Sequence, residues 1–339
     1  MKSWHLQGLG AGLDGLQLRE REVPQPGPRE VLVRVHACSL NYREISILKL
    51  GRYPLPITPG AVALCDGAGE VVTLGEGVTR VKTGERVIAS IFPHWIDGPF
   101  GTDRAAQLGG SLDGMLTEYA VLPEEALVPV PAHLDYQEAA TLPCAAATAW
   151  NALHGGLALK PGDDVLTLGS GGVSLLALQL AKAAGARVIA TTSSDEKAER
   201  LRALGADEVL NYRTLPEWST EVRHLTQGQG VQHVVEVGGG ATLPQSLKSV
   251  AIGGDVGFVG SVAAGSSTID ANAVFISAAV LRAVAAGNRA QLQRAVRIVA
   301  QHGLKPMIAR VFGLEEAPAA LAWYAEGKAF GKTVIRVAP

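Results

Sequence analysis

Six residues, Gly169-Ser170-Gly171-Gly172-Val173-Ser174, constrain this chain more than any others. They lie between a short apolar strand, Val165 to Leu168, and an amphipathic helix that begins near Leu175. A glycine turn that runs from a strand straight into a helix is suited to a dinucleotide pyrophosphate. Gly169 permits the tight turn and Gly171 lets the backbone come close. The helix N-terminus presents free N–H groups and the positive end of its dipole. Ser174 stands where the fingerprint has a third glycine, so the motif alone also reads as an ordinary strand-to-helix turn in a chain with 40 glycines.

The surrounding rhythm supports the first reading. From Leu134 onward, helical and strand-like segments alternate: a helix over Gln137 to Leu153, a strand over Asp164 to Leu168, a helix over Leu175 to Ala184 and a strand over Arg187 to Thr191. A helix over Glu196 to Leu204 and strands at Glu208 to Asn211 and Gln232 to Val237 follow, then Leu243 to Val250 and Phe258 to Val262. Alternation of this kind predicts a doubly wound parallel sheet, an α/β fold. The first third is instead mostly β, with Val31 to Ala37, Val62 to Gly77 and Glu85 to Ile91 patterned as strands. Between Phe92 and Gly114 no period survives, which predicts a long surface loop or lid. Beyond Gly287 the pattern is helix over Arg289 to His302, extended chain over Met307 to Phe312, helix over Leu314 to Glu326 and a closing strand over Thr333 to Val337.

At 339 residues and 47% hydrophobic, the chain has material for about two domains. Its net charge of −2 offers no field for nucleic-acid phosphates or an anionic membrane, so neither partner is expected. The N-terminal segment has no uninterrupted apolar stretch and later apolar runs are broken by charges such as Lys182 and Arg282, so the expectation is a cytoplasmic protein. Cys38, Cys65 and Cys144 are odd in number and form no CxxC, which predicts reduced thiols rather than disulfides or a zinc ribbon.

Where NAD enzymes place an acidic residue, at the end of the second strand, this chain has Thr191-Thr192-Ser193-Ser194. A 2′-phosphate meets no carboxylate there and finds hydroxyl donors at Thr192 and Ser193, with Lys197 as counter-charge, so NADP(H) is the expected cofactor. The alternative is that Ser194 merely caps a helix whose first turn holds Asp195 and Glu196, with Lys197 solvated.

Several segments resemble the medium-chain dehydrogenase/reductase superfamily in order and spacing. They are the Gly169 to Ser174 loop, Cys38-Ser-Leu-Asn-Tyr-Arg-Glu44, Asp66-Gly-Ala-Gly-Glu-Val71, Leu142-Pro-Cys-Ala-Ala-Ala-Thr-Ala-Trp150, Gly205-Ala-Asp207 with Asn211-Tyr212, and Phe330-Gly-Lys-Thr-Val334. The match spans the chain and is most similar to the zinc-independent, quinone-oxidoreductase-like branch. The resemblance implies a GroES-like catalytic domain over 1–125, completed by 290–339, and a Rossmann domain over 126–289, with the active site in the cleft between them and a homodimer as the assembly. The apolar run Ala271 to Ala286 would make the dimer contact or simply finish the Rossmann core.

By the same resemblance, the ligands of a catalytic zinc become Asn41, Cys65-Asp66 and Cys144, and the four cysteines of a structural zinc are missing from the lobe between Asp66 and Pro143. Asparagine is a poor zinc ligand, so no metal is expected, although two cysteines and an aspartate retain some capacity for one. Cofactor-binding positions carried over are Thr148, Gly172, Val173, Ser174, Tyr212, Gly260, Ser261, Val262, Asn288 and Lys332, beside Gly169, Gly171, Thr192, Ser193 and Lys197. Without a Lewis acid, a substrate carbonyl must be polarised by hydrogen bonds, and Asn41 and Tyr42 occupy the place for it, with Tyr42 or a water as proton donor. Phe92, His94 and Trp95 are expected to wall the substrate.

The function these readings imply is NADPH-dependent, metal-free hydride transfer to a small quinone, enone or carbonyl compound. Two other readings stay open: an NAD(P)-dependent alcohol dehydrogenase, and a nucleotide-binding redox sensor without significant catalysis.

Overall fold

The structure is a computed structural model in which residues 1–260, 262 and 269–338 are described. Two compact units are formed, one of Met1–Ala147 with Asn288–Pro339 and one of Thr148–Gly287. The first unit extends past residue 125 because strand Leu127–Pro129 pairs with strand Arg86–Ala89.

In the second unit six parallel strands lie in the order Glu208–Asn211, Arg187–Thr192, Asp164–Leu168, Val231–Glu236, Val250–Phe258, Val280–Ala283. This is the Rossmann order 3-2-1-4-5-6, which reverses between Asp164–Leu168 and Val231–Glu236. Both faces of the sheet are covered, which leaves Val165, Leu166, Val234 and Val235 of these two strands fully buried. Trp218, Val222, Leu243 and Leu247 pack onto the same core from two helices. Chain reversal at the strand ends places the Gly169 turn beside this switch point, where a ligand of such a sheet belongs.

The first unit is built on a seven-stranded sheet. Ile308–Gly313, Lys332–Arg336, Glu30–Ser39, Asp66–Leu74, Arg86–Ala89 and Leu127–Pro129 are neighbours in that order, and Tyr119–Pro123 pairs with Glu30–Ser39. The closing strand Lys332–Arg336 joins antiparallel to Glu30–Ser39, with Val334 opposite Ser39. That pairing ties the C-terminal segment to the first third of the chain, as the resemblance implies.

Local chemistry explains where the elements depart from their expected bounds. The helix expected over Gln137 to Leu153 is two helices, Tyr136–Ala140 and Leu142–His154. Pro143 has no N–H and crowds the preceding turn, so it is accommodated only in the first turn of a new helix. Asp135 caps the first of the two by accepting a hydrogen bond from the Glu138 N–H at 2.7 Å. The run Ala271 to Ala286 is a short helix, Ala271–Ser277, followed by the edge strand Val280–Ala283, with Ala278 in the left-handed region at φ 46° between them. Among the described residues no helix is long and apolar enough to cross a membrane.

Candidate active site and dinucleotide loop

Asn41 lies just after strand Glu30–Ser39 and is the N-cap of helix Tyr42–Leu48. Its backbone N–H donates to Glu44 Oε2 at 2.7 Å, which fixes the entry of the helix. The side chain is fixed as well. Asn41 Oδ1 accepts from Lys332 Nζ at 2.6 Å, while Nδ2 donates to Asp66 Oδ2 at 2.9 Å and, in a longer contact, to Cys65 Sγ at 3.6 Å.

Asp66 is the hub of this cluster. Its Oδ2 accepts from Ser39 Oγ at 2.9 Å, from Asn41 Nδ2 and from Lys332 Nζ at 3.1 Å. Its Oδ1 accepts from the Cys144 N–H at 2.9 Å and, weakly, from Cys65 Sγ at 3.6 Å. Buried charge is tolerated only when paired and hydrogen-bonded, and this carboxylate is both. Lys332, 3% exposed, spends its third donor on the Leu40 carbonyl at 2.7 Å. In the first unit it therefore serves Asn41 and Asp66, whereas the resemblance implied a cofactor-binding place for it.

A second buried layer supports the cap. Arg43 pairs with Glu44 at 2.9 Å and donates to Gln107 Oε1 and the Gly109 carbonyl, while its Nε reaches Tyr53 Oη at 3.3 Å. Burial raises the pKa of Glu44, with Arg43 opposing it. Burial likewise pushes the Cys65 thiol well up, and a hydrogen bond with Cys144 and the charge of Asp66 add to this. Tyr42, the first residue of the helix, is half-buried. Burial also raises the pKa of the Tyr324 phenol, which lies in the field of Glu44, Cys144, Tyr42 and Asp66; sequence reading gave no sign of it.

A catalytic zinc asks for three protein ligands, deprotonated thiols, imidazoles or carboxylates, with lone pairs left open to it. Cys65, Asp66 and Cys144 bring their ligand atoms within 4.8 Å of one another, but the set has no histidine and both oxygens of Asp66 are taken. An ammonium already touches that carboxylate, and burial favours the protonated Cys65 thiol. A zinc ion does not fit this donor set as it stands.

In the second unit Gly169 has φ 73°, a conformation that other residues adopt at a cost, so the tight turn needs it. A Cβ at Gly171 would meet nothing within 4 Å, which leaves room for a ligand over the loop. Gly171 caps the helix Gly172–Ala183, whose first intrahelical bond is Leu175 N–H to Gly171 O. The N–H groups of Gly172, Val173 and Ser174 thus have no helical acceptor and face the turn, which fits a phosphate. The Ser174 hydroxyl turns inward instead and donates to the Leu168 carbonyl at 2.7 Å, replacing the missing glycine with a strand-to-helix staple.

At the end of the second strand, the details differ from expectation. Thr192 is 1% exposed, and its hydroxyl is buried without a partner among the described residues, so it is not turned toward solvent. Ser193 is half-buried, and Ser194 caps the next helix by accepting from the Lys197 N–H. Lys197 has company that sequence reading missed. Burial lowers the pKa of its ammonium, and Arg200 and Arg213 lower it further against the pull of Glu196. The Asp195 carboxylate accepts from Asn211 Nδ2 at 2.9 Å, and Tyr212 is largely exposed next to it in sequence.

The remaining expected cofactor positions are scattered between the units. Thr148 is buried in helix Leu142–His154, Gly260 follows strand Val250–Phe258 and Val262 is exposed. Ser261 lies outside the described residues. Asn288 belongs to the first unit, where it caps helix Arg289–Gln301 by accepting from Gln291 N–H, and its amide reaches Asp97 and Gly98 at 3.4 Å. Phe92 and Trp95 are buried against each other and Phe100, packing the loop itself, whereas His94 is exposed. Glu236 was not anticipated: its buried carboxylate accepts from the N–H groups of Gly238 and Gly239 and from Thr242 and Ser246, fixing the loop after its strand.

With this geometry in place, comparisons with known proteins identify the family. Residues 27–132 match the alcohol dehydrogenase GroES-like domain family and residues 172–301 match the zinc-binding dehydrogenase family. A zinc-type alcohol dehydrogenase-like protein of Schizosaccharomyces pombe is 40% identical, with 96% of each chain covered. The chain belongs to the medium-chain dehydrogenase/reductase superfamily. A quinone oxidoreductase of Pseudomonas aeruginosa is 35% identical over 71% of this chain and 67% of its own. Among solved structures, a putative alcohol dehydrogenase of Sinorhizobium meliloti superposes with a TM-score of 0.91 at 40% identity, covering 99% of this chain and 98% of that one. The expected superfamily and fold class, a GroES-like domain plus a Rossmann unit, are therefore correct, and the chain is an oxidoreductase with an NAD(P)-binding fold.

Proposed function

We propose that this enzyme uses NADPH to reduce a small quinone, enone or other carbonyl compound without a metal ion. The observation that carries this reading is the cluster of Lys332, Asn41 and Asp66, in which an ammonium and an amide stand where metal-dependent relatives would need free ligands. Bound NADPH supplies a hydride to a carbonyl carbon, a β-carbon or a quinone carbon. The chain's own residues handle the oxygen. Asn41 is held at Oδ1 by Lys332, and its weakest contact, the 3.6 Å one to Cys65, is the one an Nδ2 hydrogen exchanges for a substrate oxygen. Tyr42, the next residue, gives that oxygen its proton through its phenolic O–H.

NADPH rather than NADH is supported by Lys197, Arg200 and Arg213, whose charges are near enough to act on one another and would attract a 2′-phosphate. The Gly169 to Ser174 loop holds the pyrophosphate, and Thr148, Ser193, Tyr212, Gly260 and Val262 are proposed to complete the cofactor site. A homodimer is supported by the edge strand Val280–Ala283 and the exposed Phe275 and Ile276. With Cys38, Cys65 and Cys144 all present as thiols, the protein suits the cytoplasm.

A turnover screen tests the reading. NADPH should be oxidised by quinones, enals or enones faster than any alcohol is oxidised with NADP⁺ or NAD⁺. Faster alcohol oxidation would favour the dehydrogenase reading, and cofactor binding with no turnover on any of these would favour the sensor.

A further inference from the structure

We propose that the ammonium of Lys332 takes the place of a metal ion: it closes Cys65, Asp66 and Cys144 to divalent cations and supplies the positive charge against which Asn41 is set. The inference rests on the metal-free reading and goes beyond it by naming the residue responsible.

Two thiols and a carboxylate whose donor atoms lie within 4.8 Å of one another make a soft donor set that a thiophilic divalent ion would accept. What obstructs it is specific. Any cation bound through Asp66 would come within a few ångströms of Lys332 Nζ, itself 3.1 Å from Oδ2, and like charges at that distance repel strongly in a buried site. Lys332 has no easy way out. Its three donors are spent on Leu40 O, Asn41 Oδ1 and Asp66 Oδ2. Its backbone is fixed in the closing strand, which pairs with Ile308–Gly313 on one side and Glu30–Ser39 on the other. The same bonds hold Asn41 Oδ1 against a full positive charge, which makes the Nδ2 hydrogens better donors. Lys332 is thus a positioning residue that acts on substrate through Asn41.

The test is a cobalt(II) titration of the purified full-length enzyme, read by the thiolate-to-cobalt charge-transfer band in the near ultraviolet. Wild type and Lys332→Arg should give no band at one equivalent. Lys332→Met should give one that saturates near one cobalt per chain and is lost when Cys65→Ser and Cys144→Ser are added. Lys332→Gln, which can still donate to Leu40 O, carries the same test if Lys332→Met does not fold. A saturating thiolate band in wild type would overturn both this proposal and the metal-free reading. Folded Lys332→Met and Lys332→Gln proteins that take up no cobalt would overturn the proposal alone.

Discussion

Lys332 Nζ sits 2.6 Å from Asn41 Oδ1, a bond between residues 291 positions apart that joins the closing strand to the first helix of the chain. Because Lys332 and Asp66 are both buried and paired, removing either one alone strands a charge out of water. Lys332→Met or Asp66→Asn should each cost about 3–5 kcal/mol. The double variant leaves no stranded charge and should recover much of that loss. Urea unfolding of the four proteins measures the coupling, and simple additivity would mean that the pair is not what stabilises the cluster.

If the amide of Asn41 and the phenol of Tyr42 act on the substrate oxygen, their loss should appear in turnover rather than in cofactor affinity. Asn41→Ala should lower kcat by about 10²–10³, the usual effect of deleting one preorganised donor. Tyr42→Phe should lower it by about 10²–10⁴. NADPH binding, followed by fluorescence, should be nearly unchanged in both. Rates equal to wild type would remove these residues from the mechanism.

Cofactor choice should follow the cations and not the threonine. A charge-assisted hydrogen bond is worth about 1.5–3 kcal/mol, or tenfold and more in affinity. Lys197→Ala and Arg213→Ala should therefore each weaken NADPH by about tenfold while leaving NADH within about twofold. Thr192→Val should leave the preference intact, since that hydroxyl is already buried. An NADH/NADPH ratio that shifts with Thr192 and ignores Lys197 would reverse the assignment.

The parts of the molecule that are local are legible in the sequence. A strand, a glycine turn and a helix within some twenty residues carry their own geometry, so the Gly169 loop and the alternation of strands and helices around it could be read directly from pattern. The buried cluster around Asn41 was legible only in part. Asn41 and Tyr42 came from motif order, but the bond to Lys332 depends on a closing strand returning to Glu30–Ser39, a pairing that no local pattern encodes. Lys332, placed directly before Thr333, Val334 and Ile335, was the available signal, because a charge that opens a buried strand needs a partner. Thr192 failed to show its orientation for a related reason: successive strand residues face opposite sides, and which side is covered depends on tertiary packing.

The run Ala271 to Ala286 leaves a feature that a lone chain in water does not favour. Phe275 and Ile276 are 84% and 74% exposed, Val280 is 52% exposed, and strand Val280–Ala283 is the last in its sheet. An open strand edge bordered by large apolar side chains is a template for pairing with another chain, and a second copy meeting it around a two-fold axis satisfies both. The enzyme should therefore run as a dimer in size-exclusion chromatography with light scattering. Val280→Lys combined with Phe275→Asp should shift it toward monomer, because two buried charges per subunit would have to be desolvated at the contact. The cofactor loop lies on other strands of the sheet, so NADPH binding should survive the shift. A wild-type monomer, or a dimer indifferent to both substitutions, would place the contact elsewhere.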